Sequence, residues 1–167
     1  MAIIIFFTKK NAPVVVGVKL TQISFNCMSL RKKKSNQVQS SPSSDVIAGL
    51  CRVSVVVCAR NEAAALRRNL PLLLAQEGVD YEVVVADDAS SDASAEVLAD
   101  LCALHAHLRV ARVATKTRPG KKQALAAATA VARGEILLLT DADCAPSSPC
   151  WAALMTRSLC ARPALAL

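Results

Sequence analysis

Beyond residue 50 the chain alternates short apolar runs with longer segments in which apolar residues recur three or four positions apart. Short runs rich in β-branched residues predict strands, the longer spacing predicts helices, and their alternation predicts a parallel sheet with helical crossovers, βαβαβαβα. The first run, VSVVVC over Val53–Cys58, is apolar at nearly every position, as a strand covered on both faces must be, and is expected at the sheet's centre. Asn61 is placed to cap the next helix, with Glu62 in its first turn; Leu66, Leu70, Leu73 and Leu74 mark its apolar face and Gly78 its end. A second strand is expected at Tyr81–Ala86, closed by the polar cluster Asp87-Asp88-Ala89-Ser90-Ser91-Asp92, and a helix over 93–105 follows. The third strand is expected at Leu108–Val113. The basic loop from Thr115 to Gly120 then leads to a helix over Lys121–Arg133, with Gly134 as its C-terminal cap. The fourth strand, EILLLT over Glu135–Thr140, ends in Asp141-Ala142-Asp143-Cys144, and a last helix is expected over Pro149–Cys160.

The first fifty residues are composed differently. They hold seven basic residues and one acid (+6), against thirteen and twelve (+1) for residues 51–167, so the overall charge of +7 belongs to the front. All three Phe, at 6, 7 and 25, also lie there, and residues 35–44 read SNQVQSSPSS, which is linker chemistry. A boundary is therefore expected near residues 45–52. Residues 1–48 form a basic extension expected to lack a folded role, and residues 49–167 form the domain.

Charge and cysteine content narrow the function classes. The basic run Arg31-Lys32-Lys33-Lys34 has no aromatic residues interleaved for base stacking, which argues against nucleic acid; it reads as a solvated tract or a strip drawn to anionic lipid headgroups. Seven Cys, an odd number without a CxxC pair and mostly set among apolar residues, read as reduced buried thiols in a reducing compartment. Cys58 reads as a small buried strand residue. His105 and His107, two apart at a helix-to-strand junction, are expected to face different ways. Trp151 is expected to anchor the last helix on the sheet. Lys9, Lys10 and Lys19 interrupt the only apolar front segment, so no membrane-spanning helix is expected, and no signal peptide is apparent.

In an open α/β sheet, ligands bind beyond the carboxyl ends of the strands. Glu62, Asp87, Asp88, Asp141 and Asp143 should therefore converge on one rim. Two carboxylates spaced Asp-x-Asp on a tight loop can aim oxygens at one point, and hard cations such as Mg²⁺ or Mn²⁺ take oxygen ligands together with substrate phosphates. Arg118, Lys121 and Lys122 stand at a helix start, where backbone N–H groups and the dipole also favour anions. Each acidic cluster alone reads more readily as turn and cap chemistry. Together they point to a metal-bound nucleoside diphosphate.

Rival phosphate sites fit less well. A P-loop needs Ser or Thr after Gly-Lys, and here Gly120-Lys121 precedes Lys122; a dinucleotide fingerprint needs glycines after strand one, where the chain reads Cys58-Ala59-Arg60-Asn61-Glu62-Ala63. A phosphorelay receiver expects its acid pair after the first strand, and a nucleotidyltransferase expects a Gly-rich loop there.

Four blocks in order, VSVVVCARNEAAAL, VVVADDASSD, PGKKQAL and GEILLLTDADC, resemble the family 2 glycosyltransferases, which are inverting, nucleotide-sugar-dependent enzymes of the GT-A fold, many of them membrane-bound. The resemblance runs from about Arg52 to Leu159. It implies a GT-A half-domain with a mostly parallel sheet. It also implies that Ala59, Arg60 and Glu62 border the uracil and ribose, that Asp88 with Asp87 holds the base, and that Lys121 approaches the phosphates. Asp141 would approach the ribose or the metal, and Asp143 would be the metal ligand. TDADC with GKKQAL looks most like membrane glycosyltransferases that elongate polysaccharides or glycosylate lipids, which implies a UDP-sugar donor, a saccharide or lipid acceptor and a place in the cytoplasm or on the cytoplasmic membrane face.

The chain departs from the family pattern after Asp143. Family members carry a catalytic carboxylate and often Gln-x-x-Arg-Trp further on, whereas no Asp or Glu follows Asp143 up to Leu167. The expectation is the donor-binding portion of a longer enzyme, or a non-catalytic binding module. A sheet ending at its fourth strand is expected to leave an apolar edge uncovered.

Overall fold

The computed structural model describes residues 4–9, 12–14, 52–115, 117 and 120–160. Its elements are β1 (Ile4–Lys9), β2 (Ala12–Val14), β3 (Val53–Ala59), α1 (Ala63–Leu74), β4 (Tyr81–Asp87), α2 (Ser94–Leu104), β5 (Leu108–Arg112), α3 (Lys122–Val131), β6 (Ile136–Asp141) and α4 (Trp151–Cys160). They form a six-stranded sheet in the order β2-β1-β6-β3-β4-β5. The pairs β3–β4, β3–β6 and β4–β5 are parallel, so all four strands of the alternating region end at one edge. This is the expected α/β half-domain with β3 in its interior.

The all-apolar strand runs follow from cover on both faces. Val53, Val55 and Val57 pack with Val83, Val85, Ile136 and Leu138 beneath Leu66, Leu70, Val97, Leu98 and Trp151, so α1, α2 and α4 share one face. The alternate residues Val56, Val84, Ala86, Leu137 and Leu139 pack beneath Ala124 and Ala128 of α3 on the other. Fully buried side chains such as Leu66, Leu70 and Leu98 contribute about 1.5–3 kcal/mol each. Trp151, 2% exposed, is the expected anchor. α1 continues through Pro71 for three residues; the imino acid donates no hydrogen bond there, but Leu73 and Leu74 are buried against the sheet.

Several local expectations differ. Asn61 does not cap α1: it takes a left-handed conformation, φ 55°, and Glu62 in the N-cap position makes no side-chain cap. Gly134 does not cap α3, whose C-cap is the extended Ala132. Gly134 is instead demanded by close approach, since a Cβ there would lie 2.4 Å from Ser54 N. The rings of His105 and His107 meet edge to face at 5.8 Å instead of diverging, because His107 lies in the turn before β5 and not in a strand. The front segment also departs from the expectation of no folded role. β1 pairs antiparallel with β6, Ile4 opposite Leu139, so the edge of the fourth parallel strand is covered rather than open. The apolar IIFF stretch has strand propensity of its own. Residues 15–51, including the proposed linker and the basic run, lie outside the described residues.

Opposite the rim that gathers the acids, a buried brace ties the strand starts together. Ser54 Oγ donates to Glu82 Oε1 at 2.7 Å and accepts from Gly134 N–H at 2.8 Å; Arg133 N–H also donates to Glu82, and Arg109 Nη1 lies 3.8 Å from its second oxygen.

Candidate nucleotide and metal site

β6 lies on one side of β3 while β4 and β5 lie on the other, so the chain reverses its direction across the sheet at β3. The loops leaving β3 and β6 therefore diverge and leave a crevice at the carboxyl ends, where ligands bind in open α/β sheets. A cavity of about 150 Å³ occupies it, lined by Cys58, Ala59, Arg60 and Glu62 from the end of β3, Asp88 after β4, Lys121 and Ala124 at α3, and Asp141–Asp143. Ala59, Arg60, Glu62, Asp88, Lys121, Asp141 and Asp143 are thus brought together. Asp87 is not among the lining residues; it is buried, and its Oδ1 accepts the Ser90 N–H at 3.1 Å, a turn role. Lys122 begins α3 but does not line the cavity. Arg118 lies outside the described residues.

The electrostatics centre on Lys121. Its Nζ donates to Asp141 Oδ1, and this bond, supported by Asp143 nearby, holds the lysine above its ordinary pKa. The ammonium therefore stands charged at neutral pH, bonded to the first carboxylate of the Asp-x-Asp turn. Cys58 is half-buried on the cavity wall instead of fully buried as expected; desolvation still pushes its thiol up, which keeps it protonated and a poor nucleophile. Cys144 is also raised, by burial and then by its S–H bond of 3.3 Å to Asp143 Oδ1.

Asp141 and Asp143 offer hard oxygen donors of the kind Mg²⁺ and Mn²⁺ take. Among the described residues no three His, Cys, Asp or Glu side chains gather as a closed cage. The donor set fits a cation that takes its remaining ligands from phosphate oxygens and water.

The loop after β4 clasps the loop after β3, a feature the sequence reading missed. Ser90 Oγ accepts Asn61 N–H at 3.0 Å, Ser94 Oγ accepts Glu62 N–H at 3.1 Å, and Asp92 Oδ2 accepts Ala63 N–H at 3.1 Å. Asn61 Oδ1 accepts Ser91 N–H at 2.8 Å in return, and Asp88 N–H donates to Ala59 O at 2.9 Å. Hydrogen bonds from Ser94 and from backbone amides hold Asp92 below the ordinary carboxylate pKa. Asn61 and Ala89 both sit at φ 55°. For Ala89 this costs on the order of 1 kcal/mol, which the clasp offsets.

The family model for Glycosyl transferase family 2 matches residues 54–163. The chain belongs to that family. It is 39% identical over 94 residues to a beta-monoglucosyldiacylglycerol synthase of Trichormus variabilis, covering 54% of this chain and 20% of the relative. It is 37% identical over 91 residues to the succinoglycan biosynthesis protein ExoO of Rhizobium meliloti, covering 54% of this chain and 25% of the relative. Among solved structures, the mannosyltransferase PcManGT from Pyrobaculum calidifontis, in complex with GDP-Man and Mn²⁺, superposes with a TM-score of 0.57 at 31% identity, covering 68% of this chain and 33% of that one. TarS of S. aureus in complex with UDP superposes at 0.50 and 28% identity, covering 55% and 27%. The chain thus spans a fifth to a third of the length of these proteins. Among the described residues, no helix is long and apolar enough to cross a membrane.

Proposed function

We propose that this chain is the donor-binding portion of a metal-dependent, inverting glycosyltransferase that takes a nucleotide-diphosphate sugar, a UDP-sugar in our reading, toward a saccharide or lipid acceptor on the cytoplasmic side of a membrane. The observation that carries this is the convergence on one cavity of Arg60, Glu62, Asp88, Asp141 and Asp143 from three separate strand ends and of Lys121 from the start of α3. A Mn²⁺ complex with GDP-Man in one neighbour and a UDP complex in another support it.

In this reading Ala59, Arg60, Glu62 and Asp88 border the nucleoside, with Asp87 shaping the turn that presents Asp88. Lys121 leaves Asp141 to meet the diphosphate, a stronger anion. Asp141 and Asp143 would hold Mg²⁺ or Mn²⁺, which when bound would supply positive charge to offset that building on a departing diphosphate. Inverting transfer also needs a carboxylate to take the acceptor's proton; no residue of this chain is assigned that role.

Calorimetric titration of UDP with and without Mn²⁺, beside Asp143→Ala, tests the reading. Metal-dependent binding lost in the variant is the expected result. Binding equal in both, or none by the folded chain, would overturn it.

A further inference from the structure

We propose that Asp92 and Ser94 are positioning residues for the nucleoside side of the site, acting by capping α1 from the neighbouring loop; the proposal rests on the donor-site reading above. The first N–H groups of a helix have no partner within it and are normally met by a side chain from the N-cap residue. Glu62 holds that position in α1 and makes no such bond. The oxygens come instead from the loop after β4, with Ser94 on Glu62 N–H and Asp92 on Ala63 N–H.

Neither Asp92 nor Ser94 lines the cavity, yet the segment they hold carries Arg60 and Glu62, which do. The clasp also runs the other way. Asp92 Oδ1 accepts Ser94 N–H at 3.0 Å, and Asn61 accepts from Ser91, so the loop that presents Asp88 is fixed by the same contacts. Asn61 and Ala89, the two non-glycine residues at positive φ among those described, flank these cavity residues, at 61 between Arg60 and Glu62 and at 89 next to Asp88. A backbone held in such conformations relaxes when its partners go, and the side chains next to it turn with it. Lys121, Asp141 and Asp143 stand on other elements, outside the clasp. Asp92 therefore acts on nucleoside binding and leaves the phosphate and metal side in place.

The test uses the full chain, Asp92→Ala and Asp92→Asn, with two probes in Mn²⁺: UDP and inorganic pyrophosphate. Amide hydrogen exchange over residues 61–66 and thermal unfolding are followed alongside. Asp92→Ala is expected to speed exchange across 61–66 and to weaken UDP about tenfold while pyrophosphate changes less than twofold. Asp92→Asn, which keeps an acceptor oxygen, is expected to recover most of the UDP affinity. Parallel loss of both probes with a lower melting temperature would reduce Asp92 to a general structural role and overturn the proposal, as would unchanged UDP affinity. Wild-type chain that binds pyrophosphate with Mn²⁺ but not UDP would overturn the nucleoside role. Wild-type chain that binds neither probe would overturn the donor-site reading and this proposal with it.

Discussion

Lys121 Nζ donates to Asp141 Oδ1, so the residue that precedes α3 is tied to the last residue of β6, and both line the cavity. The lysine thereby occupies a carboxylate oxygen that a bound cation would share. Lys121→Ala is expected to weaken UDP binding in Mn²⁺ roughly tenfold or more, since a hydrogen bond to a charged group is worth about 1.5–3 kcal/mol. The same change removes a competing cation, so Mn²⁺ alone should bind about 1.5- to 5-fold tighter, the range of an exposed ion pair. Opposite shifts for the two ligands, read by calorimetry and by Mn²⁺ spin resonance, check the assignment.

The pH behaviour of that pair follows from its sign. The lysine's pKa is raised, chiefly by the bond to Asp141, so the pair's contribution is complete below the ordinary value of 10.5 and lost as pH rises through the raised one. UDP affinity is therefore expected to be insensitive to Lys121 ionisation between pH 6 and 9, roughly the range in which lysine stays charged. A fall in that window that disappears in Lys121→Arg would contradict this.

Asp92 behaves in the opposite sense. Its pKa is lowered by Ser94 and by the amides it caps, so its hold on α1 is complete above the ordinary carboxylate value of 3.8 and is lost as pH falls through the lowered value. An NMR titration should show the Ala63 amide shifting together with the Asp92 carboxyl below that value. Independent midpoints would contradict the cap.

At the opposite end of the sheet, Gly134→Ala would drive a methyl group to within 2.4 Å of Ser54 N and 2.6 Å of Val53 C, both backbone atoms that cannot rotate away. The expected destabilisation is about 1–3 kcal/mol by denaturant unfolding. Glu82→Ala should cost a similar amount, because it leaves the Arg133 N–H and the Ser54 hydroxyl without their acceptor. Neither change touches the cavity, so UDP affinity in the folded fraction should hold.

Removing residues 1–14 would strip β1 and β2 from the sheet and expose the backbone groups of β6 that pair with Ile4–Phe7. An open strand edge is a template for association. Light scattering should show the shortened chain aggregating at concentrations where the full chain remains dispersed.

The parallel strands were legible because Val53–Ala59, Tyr81–Asp87 and Ile136–Asp141 are largely buried on both faces and so read as mainly apolar runs, broken near their starts only by Ser54 and Glu82 of the brace. The rim acids were legible for a related reason: Asp88, Asp141 and Asp143 follow those runs directly in sequence. What could not be read were contacts between loops. Asn61 has the chemistry of a local cap, and the signal that it is not one lies about thirty residues away, in Ser90, Asp92 and Ser94. Gly134 likewise looked like a helix terminator, whereas its requirement comes from Ser54, eighty positions earlier. Lys121 was placed at a helix start from sequence, but its partner Asp141 emerges only once α3 packs over β3, β4 and β5 and brings its first turn to the end of β6.

The most direct test of one cavity holding a metal-bound nucleotide is an amide NMR titration of the chain with UDP and Mg²⁺. Shifts are expected together at Ala59–Glu62, Asp88, Lys121 and Asp141–Asp143, with the brace residues Ser54 and Glu82 unmoved. Shifts confined to a single strand end, or spread over the sheet face away from this rim, would contradict the account.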